Sequence, residues 1–164
     1  MSYIAKLTYT ESLIRQATFA YWRRSIGIAT PLLLILLIIY AVYLGISGNR
    51  AWQFGAISVV CIFGILILPL VYSIHYKNGI KKLRDMGEPI GEFRTEDKGF
   101  TLTSGIGSSF LKWISVQEVW CFHDFWLLLF SKSQFATIPL ANVTPEMQGY
   151  IIQHVKDAGG KIVA

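Results

Sequence analysis

Between positions 26 and 44 the chain carries no charged residue, and Thr30, Tyr40 and Tyr43 are its only polar relief. A short polar break, Gly45-Ile-Ser-Gly-Asn-Arg50, follows. Positions 52–74 are then uncharged again, with Gln53, Ser58 and Ser73 as the strongly polar side chains. At about 1.5 Å of rise per residue, runs of this length cross a hydrocarbon layer of roughly 30 Å. A backbone in lipid must satisfy its own hydrogen bonds, so both runs are predicted transmembrane helices and the break makes them a hairpin. Pro31 falls in the first turns of the first span, where a missing N–H costs little. Pro69 sits deeper in the second span and predicts a kink.

The flanks have different periods. Positions 3–9 alternate loosely with β-prone residues and predict a strand. Thr10 is placed to cap a helix, and Leu13, Ile14, Ala17, Ala20 and Tyr21 then recur at helical spacing. This amphipathic helix fits two places, the membrane interface or the surface of a soluble domain. Beyond the hairpin, a basic helical stretch ends at Gly87 and Pro89. Strand patterns follow at 92–95, 100–104, 108–112, 118–122, 125–130 and 135–138, separated by turn residues. Ser131-Lys-Ser133 is one such turn, and Trp113-Ile-Ser-Val116 a bend or short helical turn. Thr144 and Pro145 open a last helix whose stripe is Met147, Ile151, Val155 and Ala158, helped by Ile152, and Gly159-Gly160 ends it.

The expected organisation is an N-terminal strand and amphipathic helix (1–24), a transmembrane hairpin (25–76, spans 26–44 and 52–74), a basic linker helix (77–90) and a C-terminal domain (91–164). The fold class is an α+β membrane protein. Its soluble part is a strongly bent antiparallel β-sheet or open barrel, plugged by the C-terminal helix.

Composition adds orientation. The chain has 164 residues, 53% of them hydrophobic, and a mean hydropathy of +0.47, an excess that the hairpin explains. Its formal charge is +5. Much of the surplus lies beside the hairpin, at Arg15, Arg23, Arg24, Lys77, Lys81, Lys82 and Arg84. Basic residues there meet the anionic face of a bilayer rather than nucleic acid. Membrane lipids are therefore expected partners, with Trp22, Arg23, Arg24, Lys77, Lys81, Lys82 and Arg84 at the interface. The connecting loop carries only Arg50, which predicts a multi-pass protein with both termini cytoplasmic. A cleaved signal peptide fits the first span poorly, since patterned sequence precedes it and no small-residue cleavage site follows.

Catalytic chemistry is hard to find. Neither span holds an Asp, Glu, Lys, Arg or His, which argues against an ion pathway or proton relay. His75, His123 and His154 lie apart, with no partner at metal-ligand spacing. His123-Asp124 reads as a turn between strands, and Gly105-Ile-Gly107 lacks the ending of a phosphate loop. Cys61 and Cys121 read as buried thiols. No catalytic, cofactor-binding or metal-binding residue is expected. The stretch 120–130 stands out because its strand is apolar on both faces. It is either covered twice or docks a protein partner through Trp120, Trp126, Leu128 and Phe130.

Two spans, a basic helix, then Glu96-Asp-Lys-Gly-Phe100, Leu111-Lys-Trp-Ile114 with Val119, 125–128 and Ile138-Pro139 together resemble the YcxB-like family of bacterial membrane proteins. The resemblance implies a pleckstrin-homology-like (PH-like) soluble part, a bent sheet with a capping helix, and a bacterial inner-membrane location. It carries over no catalytic residues. Where inositol-phosphate-binding relatives have a basic loop, this chain has Glu96-Asp97-Lys98-Gly99, which is net acidic. The resulting expectation is a membrane-anchored interaction or scaffold protein without enzymatic activity. Its partner is a protein, and a homo-oligomer also fits. The alternative is an immunity protein that neutralises a membrane-directed or secreted bacterial toxin.

Overall fold

The computed structural model describes residues 2–48, 52–132 and 134–163. Asn49 and Arg50 of the hairpin loop and Ser133 of the expected 131–133 turn lie outside them. The fold is α+β, and the chain divides into two units: Met1–Ala17 with Asn78–Ala164, and Thr18–Lys77.

The first unit holds every strand among the described residues. One sheet runs β1-β2-β3-β4, formed by Tyr3–Thr8, Ile90–Glu96, Gly99–Ser104 and Gly107–Lys112, all antiparallel. β1 precedes the two apolar helices in sequence and β2 follows them, yet Tyr3 stands opposite Thr95 and Thr8 opposite Ile90. The first strand of the sheet therefore lies outside the 91–164 segment. Tyr9 also donates its backbone N–H to the Pro89 carbonyl (2.8 Å), so the chain leaves and re-enters the sheet at one corner.

A second sheet runs β7-β6-β5-β8, from Gln134–Pro139, Phe125–Ser131, Glu118–Cys121 and Lys161–Val163. A 3-10 turn at Trp113–Ser115 separates β4 from β5, and among the described residues no pairing joins them. Two sheets thus stand where a single bent one is expected. Strand β8, parallel to β5, is also new. Three residues after two glycines leave no periodic trace. Gly160 is more than a helix stop, since a Cβ there would come within 2.6 Å of the Val116 carbonyl oxygen. Only a bare backbone lets the chain turn in beside β5.

One core lies between the sheets. Phe93, Phe100, Val119, Leu128 and Ile138 are fully buried in it. Helix α4 (Pro145–Asp157), capped by Thr144, adds Met147, Ile151 and Val155 on its apolar stripe. The aromatic rings interlock: Phe100 lies 5.3 Å from Phe93 and 5.0 Å from Trp113, centroid to centroid.

The second unit holds the end of α1 (Glu11–Ile26), all of α2 (Ala29–Ile46) and most of α3 (Trp52–Asp85). Gly27, at a φ of 67°, breaks α1 from α2. α2 and α3 are long and apolar enough to cross a membrane. Nearly all their apolar side chains face outward, which separates them from the core helices of a soluble protein. They pack antiparallel, with Phe54 against Gly45 and Leu34 closing on Gly64 so tightly that a Cβ there would meet it at 2.8 Å.

Candidate functional site

The residues expected at a membrane interface sit on α1 and α3. The Trp22 indole N–H donates to the Leu68 carbonyl oxygen (2.9 Å). Phe19 and Tyr72 complete an aromatic cluster, each about 6 Å from Trp22. Tyr76 stacks on Tyr72 and Tyr21 meets His75 edge-on. These contacts fix a level along α3. The Leu34–Gly64 and Gly45–Phe54 contacts place Ala29, the first residue of α2, opposite Pro69. Each helix then offers about 27 Å of matched length, close to one hydrocarbon layer.

The second span is expected to reach Ile74, and α3 runs unbroken through that position to Asp85. The stretch 70–74 continues α3 beside α1, as the Phe19–Tyr72 contact shows. Apolar residues that face a neighbouring helix and apolar residues that face lipid look alike in sequence. Arg23 follows Trp22 and is exposed, which puts a cation at the Leu68 level. Lys77, Lys81 and Arg84 recur at i, i+4 and i+7 as one exposed stripe on the continuation of α3, with Lys82 turned to another side. Residues 18–77 contain four basic residues (Arg23, Arg24, Arg50 and Lys77) and no acidic one.

The proposed docking residues have a different fate. Trp120, Trp126 and Leu128 are buried and Phe130 is half-buried, so none of the four is an open anchor. Trp126 and Leu128 point into the core between the sheets. Leu127 faces the other way and is 0% exposed, so the strand is covered on both faces. Helix α4 shares the core on the Leu128 side, through Met147, Ile151 and Val155. A doubly apolar strand was the readable signal, and it reports burial on both faces.

His123 and Asp124 pair at 2.5 Å, but His123 is 98% exposed on its turn and has no wall around it. His154 instead stacks on Tyr150 at 3.9 Å, and its Nδ1 lies 3.0 Å from the Tyr150 carbonyl oxygen. Among the described residues no three His, Cys, Asp or Glu side chains gather as metal ligands. Cys61 is buried and Cys121 is half-buried.

Sequence reasoning missed one cluster, where the β2–β3 turn meets α4. The Tyr150 hydroxyl donates to Asp97 Oδ1 (2.8 Å), and Tyr3 meets the Tyr150 ring edge-on at 5.3 Å. The Trp113 indole N–H donates to the Glu96 carbonyl oxygen (2.9 Å). The Tyr150 bond holds the Asp97 carboxyl below its usual range, while burial and that carboxylate push the Tyr150 phenol up to about 12. Asp97, the acidic feature of the loop, is thus tied to α4. Tyr150→Phe is expected to lower the thermal midpoint of the detergent-solubilised protein at neutral pH. A carboxyl whose folded pKa is depressed contributes stability that is lost as pH falls through that value. The gap between the two proteins should therefore close below pH about 4. A gap of constant size from pH 7 to pH 3 would contradict the pairing.

Comparison with family models, curated proteins and solved structures finds no match to this chain.

Proposed function

We propose that this chain is a bacterial inner-membrane protein that holds a PH-like interaction unit at the cytoplasmic face through a two-helix hairpin, without catalytic activity of its own. The observation that carries this reading is the pairing of β1 with β2 on either side of the apolar helices. Two strands of one sheet cannot lie on opposite sides of a bilayer, so the intervening segment must cross an even number of times. α2 and α3 supply two crossings of matched length. Arg23, Arg24 and the α3 stripe lie at the ends that lead to the sheets, which under the positive-inside bias is the cytoplasmic side. There they meet anionic lipid headgroups.

Helix α4, whose stripe enters the core, supports the capping helix of the YcxB-like resemblance, while two sheets stand in place of its one bent sheet. His123–Asp124 is too open to exclude water or orient a substrate, which favours binding over catalysis. With Trp120, Trp126 and Leu128 buried, a protein partner must use other surface. Ile4, Phe110 and Ile114, each at least half exposed, are the large apolar side chains the strands and the following turn present. Washing membranes with alkaline carbonate tests the anchor. The intact chain should stay in the pellet, and its release into the supernatant would remove the hairpin from the account.

A further inference from the structure

The two sheets have four edges, and three of them are managed. On β1 the Asn142 side-chain amide donates to the Lys6 carbonyl oxygen (2.9 Å), and the Tyr9 hydroxyl donates to the Thr137 carbonyl oxygen of β7 (3.1 Å). The β1 and β7 edges are thereby braced to each other. β8 is three residues long. The fourth edge, β4, runs for six residues, and among the described residues nothing bonds its outer side. Such an edge is a template for another strand. Proteins usually blunt edges with Pro, bulges or central charges, and positions 107–111 have none of these.

The register says which backbone groups are open. Gly105 and Ile106 form a two-residue turn closed by Ser104 opposite Gly107, which makes that pair hydrogen-bonded. Alternation then bonds Ser109 to Leu102 and Leu111 to Phe100, leaving the N–H and C=O groups of Ser108, Phe110 and Lys112 pointing outward. The 3.0 Å contact between the Thr103 and Ser108 hydroxyls fits the closer side chains of a non-hydrogen-bonded pair.

We propose that the occupant of this edge is β4 of a second copy of the same chain, antiparallel and centred on Phe110. Open groups on every second residue, with matching faces, allow a two-fold pairing in which Phe110 stands opposite Phe110, Ser108 opposite Lys112 and Ser109 opposite Leu111. No like charges face each other in this register. Lys112 meets a hydroxyl, and the half-exposed Phe110 rings cover one another. The two four-stranded sheets then join into one of eight strands. This pairing follows from the β3–β4 register and stands even if the membrane reading fails.

Opposed Cα atoms of a hydrogen-bonded antiparallel pair lie about 5.5 Å apart, within the usual disulfide range. Full-length Phe110→Cys, reconstituted in lipid vesicles and oxidised, is therefore expected to give at least roughly tenfold more covalent dimer than Ile4→Cys, since a formed interface raises local thiol concentration far above collision. Ile4 is exposed on the same face but three strands away, and the parent chain with Cys61 and Cys121 alone sets the background. Adding Ser108→Pro, which removes an outward N–H that β3 does not use, should abolish the Phe110→Cys dimer while the chain stays folded, with a cooperative melt that loses only the exposed Thr103–Ser108 contact and the dimer's own contribution. Should Phe110→Cys itself misfold, a mixture of Ser108→Cys and Lys112→Cys chains tests the same register and should give the mixed dimer. Dimer from Phe110→Cys no greater than from Ile4→Cys, or cross-linking to a foreign protein instead of a second copy, overturns the proposal.

Discussion

Removing residues 2–9 is expected to unfold the sheet unit, although these residues are separated from the rest of the sheet by the whole hairpin. β1 pairs along its entire length with β2 and buries Leu7 at 1% exposure and Ala5 at 4%. Losing one buried leucine to alanine typically costs about 2–5 kcal/mol. Here the backbone ladder, the Tyr9 and Asn142 braces and the paired bonds between Thr95 and Tyr3 go as well. Domain stabilities are about 5–15 kcal/mol, so the loss is of the order of the whole. Three tryptophans report it, because Trp113, Trp120 and Trp126 are all buried in this unit. Their fluorescence should shift to that of solvated indole, and limited proteolysis should cut within 90–139. Unchanged emission with an unchanged melting curve would mean that β1 is an ornament on a domain complete at 91–164.

That prediction marks where the sequence was readable. Strand patterns, turn residues and the Thr144-Pro145 helix start each lie within a few neighbours of one another, and the structure places elements at all of them. The partner of β1 was not legible in the same way. Alternation at 3–9 announces a strand but says nothing of a mate more than 80 residues later. The two faces of β6 illustrate the same limit. Periodicity says that Phe125, Leu127 and Leu129 oppose Trp126, Leu128 and Phe130. It does not say whether helices or a partner lie over the first face, and the burial of Leu127 decides for cover within the chain.

The interface residues divide similarly. Trp22 beside Arg23 and Arg24 is read from sequence as an interface anchor, but its bond to the Leu68 carbonyl left no trace there, and that bond fixes Trp22 against α3. The Asp97–Tyr150 tie lies on residues that composition treats as ordinary surface. Likewise β4 reads as an unremarkable run of small residues until the sheet order makes it an edge.

The second large effect is one of sidedness. Ser2 precedes β1, Lys98 lies in the β2–β3 turn, and Ser47 follows the end of α2 at the far end of the hairpin. Ser2 and Lys98 flank strands of one sheet, so they must share a compartment, while a hairpin that crosses the bilayer puts Ser47 in the other. Single cysteines at these positions, in a chain otherwise free of cysteine, can be challenged in intact cells with a thiol reagent that does not cross membranes. Ser47→Cys is expected to react at once, and Ser2→Cys and Lys98→Cys only after the membrane is permeabilised. Labelling of Lys98→Cys in intact cells with Ser47→Cys protected, or any split between Ser2→Cys and Lys98→Cys, would contradict a hairpin inserted between adjacent strands and anchored from the cytoplasmic side.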